Sequence, residues 1–155
     1  MRIEIDFDRE TFVQASADFL KRLITFSYRW LTNEGEALGY ILGSLHFTLF
    51  VFVVLLVIVS HTIYPNFWLQ FSVFILIFLI WVQHIVLQVC VSTVAEEGLT
   101  NGESPYHTIF EKVFLVRTSD FINYYGVAET TALGFFALSL ISRVSVYMHG
   151  WSPQL

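Results

Sequence analysis

The sequence predicts an all-α integral membrane protein: three transmembrane helices behind an amphipathic N-terminal helix. Two observations lead there. Only 14% of the 155 residues are charged and 55% are hydrophobic, against about 25% charged in an ordinary soluble protein. The charges are also unevenly placed. Between Glu36 and Glu96 lie 59 consecutive residues without Asp, Glu, Lys or Arg. A soluble domain of this size has too little interior to hide such a stretch. Two bilayer-spanning helices of about 20 residues each, joined by a tight turn, do hide it.

Each element follows from local pattern, within a single membrane domain over 1–155. Residues 8–31 read as an amphipathic helix, with Asp8 as N-cap. Phe12, Phe19, Leu23, Phe26 and Trp30 recur at three- and four-residue steps and share one face. Arg9, Asp18, Lys21, Arg22 and Arg29 fall mostly elsewhere. Such a helix suits the membrane interface, rings down. The alternative is a helix packed on a partner or on this chain's own loops.

Residues 38–61 form the first span. Fifteen of the residues from Ile41 to Val59 are Leu, Ile, Val or Phe, which favours insertion by roughly 4.5–9 kcal/mol. Pro65 and Asn66 break the chain into a turn. Residues 67–93 form the second span, with Tyr64 and Trp68 suited to an aromatic belt. Residues 95–120 form a polar loop with a short surface helix over 108–117, Ile109, Val113 and Phe114 on one side. Residues 124–148 form the third span, the least apolar. It carries Glu129 and Arg143, and a central charge costs about 2.5–3.5 kcal/mol. Arg143 is expected to snorkel toward Tyr147 and Trp151. This span should need other helices or a partner to settle.

Five of the eight basic residues (Arg2, Arg9, Lys21, Arg22, Arg29) precede the first span, and Lys112 and Arg117 sit in the second loop. Three spans put both regions on one side, so the N terminus is expected inside and the C terminus outside. A net charge of −5 argues against nucleic acid as a partner. One cysteine, Cys90, excludes an internal disulfide. The acid-containing start Met1–Asp6 reads as neither signal nor transit peptide. Organellar, bacterial and viral membranes all fit.

His46 and His84 are the residues most suggestive of chemistry. On facing spans each would lie roughly 12–14 Å from the inner surface. Gln88, one turn below His84, joins them with Ser44, Gln83, Cys90, Glu96 and Glu129 in a polar cluster of the inner half. Ionisable groups inside a bilayer are costly and point to function by default. Level histidines suit axial haem ligation. Histidine nitrogens with Glu129, Glu96 or His107 suit a metal. The plainer reading is that neutral His46 and His84 hydrogen-bond to Gln88, Ser44 or backbone carbonyls and hold helices together. His61, His107 and His149 read as loop or interface histidines. No Ser/His/Asp set, phosphate-binding glycine loop or selectivity filter is present.

Gly35, Gly39 and Gly43 repeat at four-residue steps, a ridge that lets another helix approach closely. Ala128, Thr131, Ala132, Gly134 and Ala137 give the third span a comparable flank. The ridge suits either docking on a larger assembly or packing of the first span on the third.

His46, then Cys90-Val91-Ser92-Thr93-Val94-Ala95-Glu96, then Gly102 and Tyr106 carry a resemblance over about residues 45–110. The stretch resembles an uncharacterised family of small multi-pass bacterial membrane proteins. In that family a His-containing first helix precedes a second helix ending in Cys-Pro-Leu-Thr-x-x-Glu, then a glycine–tyrosine loop. This chain departs at Val91-Ser92. The resemblance implies a membrane fold and no activity. Thr93 and Glu96 equally suit the plain end of a helix at the interface.

Three functions compete. The first is an accessory, non-catalytic subunit of a larger membrane assembly, such as a respiratory complex or virion membrane. Its partners would be lipid and other membrane subunits, or further copies of itself. The second is a haem- or metal-binding redox protein using His46 and His84. The third is an oligomeric channel or proton path through His46, His84 and Glu129.

Overall fold

The computed structural model describes residues 8–115 and 118–148, without the side chains of 118–125, 147 and 148. The expectations placed on residues 1–7, Arg117, His149, Trp151 and the Tyr147 side chain lie outside the described residues. Among the described residues, six α-helices follow in order: α1 (Arg9–Tyr28), α2 (Gly35–Ile58), α3 (Phe67–Leu87), α4 (Val91–Glu97), α5 (Pro105–Phe114) and α6 (Thr118–Met148). No strand occurs among the described residues. Among the described residues, three helical stretches are long and apolar enough to cross a membrane: Gly35–Ile63, Phe67–Leu87 and Gly126–Val146.

Packing divides the chain into two compact units, 1–48 with 86–118, and 49–85 with 119–155. In the first, Asp8 starts α1 by accepting from the Thr11 amide at 3.2 Å. The Thr11 hydroxyl bond and this amide bond hold the Asp8 carboxyl below its ordinary range. Val13, Ala17 and Ile24 of α1 are buried with Leu42, Leu87, and Val91 and Ala95 of α4. The aromatic stripe of α1 is not the face that packs. Phe26 is 83% and Trp30 80% exposed, and Phe12, Phe19 and Leu23 are exposed with them. At about 100° per residue the stripe centres roughly 120° from the buried face. The helix therefore carries two apolar faces, one packed on α4 and one open.

The second span expected over 67–93 ends earlier. Regular α3 stops at Leu87, and Gln88 takes φ +55°, a left-handed conformation uncommon for a residue with a Cβ. The chain turns there and begins α4 at Val91, inside what read as span and polar loop. The surface helix expected over 108–117 is α5, starting at Pro105. Ser104 caps it and Pro105 fills its first turn, where a missing N–H costs nothing. Its buried residues are Pro105, Tyr106 and Phe110, whereas Val113 and Phe114 of the expected stripe are exposed. Burial falls on the neighbouring stripe.

In the second unit, Val73, Ile77, Leu133 and Phe136 form the core. The first apolar helix closes with a π-helical turn at Val59–Ile63, and the Asn66 side chain caps α3 by accepting from the Trp68 amide at 2.9 Å. Arg143 donates to the Pro65 carbonyl at 2.7 Å, so its charge meets a backbone acceptor of this turn.

Candidate functional site

The largest concentration of polar side chains in the first unit forms around Glu96, a carboxylate with no exposure at all. Three donors meet it. Ser104 Oγ donates to Oε2 at 2.7 Å, the Tyr106 amide to Oε2 at 3.0 Å, and His46 Nδ1 lies 2.8 Å from Oε1. A buried carboxylate needs this degree of satisfaction, since an unpaired one costs several kcal/mol or neutralises. The Tyr106 amide is in the first turn of α5 and has no partner within the helix. Glu96 supplies one.

Local sequence sets each part. The turn at Gln88 directs α4 so that Glu96 lies inward. The Thr100 hydroxyl donates to the Glu96 carbonyl at 2.9 Å and also bonds the Glu103 carbonyl. Gly102 takes φ +98°, which glycine adopts without strain. The chain then returns to Ser104. The glycine ridge of α2 makes room for this loop. A Cβ on Gly43 would sit 2.8 Å from Pro105 Cβ and 2.9 Å from the Tyr106 nitrogen, and one on Gly35 would sit 3.2 Å from the Leu99 carbonyl. A Cβ on Gly39 would overlap Thr100. The ridge thus serves residues 99–106 of its own chain, where another helix was expected.

His46 is held on several sides. The Tyr106 ring stacks on it, centroids 4.1 Å apart at 22°. Its Nε2 lies 3.5 Å from Cys90 Sγ. A neutral imidazole that donates Nδ1–H to Glu96 has its Nε2 lone pair on the side of the thiol. The order thiol, imidazole, carboxylate is that of a nucleophile, its base and the group orienting the base. The sequence places these three residues in one polar cluster but not in this order, because His46 lies 44 residues from Cys90 and 50 from Glu96, and no short motif announces such a pairing.

No protein-family model, curated protein or solved structure matches this chain.

The second unit holds a separate pair. His84 Nδ1 lies 3.0 and 3.1 Å from the two carboxylate oxygens of Glu129, which is 8% exposed. Ser60 and Gln70 are also buried here, and the Gln70 amide donates to the Ser60 carbonyl at 2.9 Å. Gln70 Oε1 and His61 Nε2 are buried with no protein partner. A glutamine in an otherwise apolar run was the available signal for this spot.

The expected polar cluster therefore resolves into two. Cys90 and Glu96 gather around His46, and Glu129 meets His84. Gln88 joins neither: it is exposed and accepts from Arg9 of α1 at 2.7 Å. Ser44 is exposed and bonds the Tyr40 carbonyl of its own helix at 2.8 Å. Both nitrogens of His46 are engaged and one ring face is covered, an arrangement suited to holding and moving a proton rather than to axial ligation. No group of three or more His, Cys, Asp or Glu suited to a metal occurs among the described residues.

Proposed function

We propose that this chain is a multi-pass membrane protein and an accessory, non-catalytic subunit of a larger membrane assembly. Its N terminus is inside, its C terminus outside, and α1 lies along the interface with Phe12, Phe19, Leu23, Phe26 and Trp30 toward lipid. In the most apolar stretch of each candidate span only 11%, 17% and 22% of residues are buried within the chain. Water would not tolerate that surface; hydrocarbon or a partner helix does. The open stripe of α1 supports the interfacial placement, since its other apolar face is already satisfied by α4.

The observation that carries the subunit reading is the flank of α6. This is the least apolar span and the one that needs support. Its Ala128, Thr131 and Gly134 are exposed, and a Cβ on Gly126 or Gly134 would meet nothing within 4 Å. Small residues of this kind let a neighbouring helix come close enough for backbone packing. The ridge on α2 is already occupied by its own loop, whereas the flank on α6 is open.

Purification of the full chain from its host membrane in mild detergent tests the proposal. A defined complex of fixed composition is expected. Gly134→Leu should release it without lowering the melting temperature of the subunit, because the added side chain enters open space. A monodisperse monomer in the wild type would overturn the subunit reading. Release by alkaline carbonate would overturn the membrane reading itself.

A further inference from the structure

We propose that Cys90 is a nucleophilic thiol that accepts a long-chain acyl group from an acyl thioester, with His46 as its base and Glu96 as the residue that positions His46.

The geometry supplies each requirement. Cys90 is half-buried and stands between the end of α3 and the start of α4. Its sulfur faces His46 Nε2 at 3.5 Å. The imidazole cannot turn away: Glu96 holds Nδ1, and Tyr106 stacks on the ring. Glu96 is itself fixed by Ser104 and the Tyr106 amide. A histidine that only joined two helices would need one partner. This one has a fully buried, doubly anchored carboxylate behind it and the chain's single cysteine in front.

The acyl class comes from where the thiol sits, and that clause rests on the membrane reading above. Cys90 lies three residues beyond the last residue of the second candidate span. Its neighbours Val86 and Val89 are exposed apolar side chains. A long-chain acyl thioester has its tail in hydrocarbon and its thioester at the boundary, which is the depth of this sulfur. The step balances without an oxidant or metal. His46 Nε2 takes the thiol proton, and the Cys90 sulfur attacks the thioester carbonyl. The new sulfur–acyl bond forms, the old one breaks, and the departing thiolate takes the proton back from His46.

Palmitoyl coenzyme A and the full chain in detergent micelles provide the test, read by intact mass. One hydroxylamine-labile acyl group is expected on the wild type and none on Cys90→Ser. Acetyl coenzyme A should react much more slowly; equal rates would overturn the long-chain class. His46→Asn should slow acylation about tenfold, since an unassisted thiol is only a few per cent thiolate at pH 7.

Alkylation of Cys90 by iodoacetamide separates this proposal from the membrane reading and from any folding defect. At pH 7 the wild-type thiol should react about tenfold faster than free cysteine, as thiolate enrichment by a paired imidazole demands. A rate equal to or below that of free cysteine would overturn the proposal. In Glu96→Gln the pH–rate profile of alkylation should move toward that of free cysteine. Among the described contacts, the titratable groups at the thiol are His46 from α2 and, behind it, Glu96 from α4; Arg9 of α1 meets Gln88, two residues before Cys90. An unmoved profile would show Glu96 to be structural only.

Discussion

The two compact units each contain a histidine paired with a buried glutamate, and the two pairs are built differently. In the second unit, both oxygens of Glu129 address one nitrogen of His84, a bond between two of the candidate spans. In the first unit, one oxygen of Glu96 takes His46 and the other takes Ser104 and the Tyr106 amide. That carboxylate joins an apolar helix to α4, to the cap of α5 and to the loop between them. The same residue pair thus serves once as a clamp between helices and once as the centre of a small tertiary structure. Residues that share chemistry differ in role because of how many backbone segments depend on them.

Removing each carboxylate breaks or sharpens this contrast. Glu96→Ala strips His46, Ser104 and the Tyr106 amide of their acceptor together. It should cost about 3–5 kcal/mol, the range for breaking a buried pair. Glu129→Ala removes one hydrogen-bonded partner and should cost about 1–3 kcal/mol. Thermal melts in detergent measure both; equal losses would mean that Glu96 is no hub.

Glycine substitutions compare the two regions at smaller scale. Gly43→Ala places a methyl group against Pro105 and the Tyr106 nitrogen and should destabilise by about 1–3 kcal/mol, as overpacking does. Gly134→Ala enters open space and should be neutral or stabilise α6 by up to about 1 kcal/mol through helix propensity. A destabilising Gly134→Ala in the isolated subunit would mean that this flank is already covered.

The smallest effect belongs to the cap of α1. Asp8 is held below its ordinary carboxyl range by its bonds to Thr11. A lowered folded value means the cap stabilises α1 above about pH 4, the ordinary Asp range, and that this support is lost as pH falls through the folded value. Amide exchange in the first turn of α1 should speed up over that acid window in the wild type. In Asp8→Asn it should show no such step.

Much of the helical framework was legible because it follows from local composition. The charge-free stretch between Glu36 and Glu96 marks the first two long apolar helices and a less apolar run the third, Pro65 and Asn66 mark the first turn, and Asp8 marks the start of α1. The limits of α3 were not legible. Nothing in the run from Trp81 to Val94 signals that Gln88 will take a left-handed conformation. The aromatic stripe is conspicuous in the sequence, but the side of α1 that packs is not. Val13, Ala17 and Ile24 are smaller and less conspicuous than the rings beside them. The ridge Gly35, Gly39, Gly43 announced a close approach without naming what approaches.

By itself the sequence determined where hydrocarbon-like surface must exist, because apolar length and missing charge are properties of consecutive residues. Only the tertiary structure decided which polar groups meet. His46, Cys90 and Glu96 come together through a break at Gln88, a loop seated on glycines and a cap at Ser104. Each of these long-range contacts depends on the folding of a segment distant in the chain, and hydrogen-bond partners across such distances leave no period in the sequence to read.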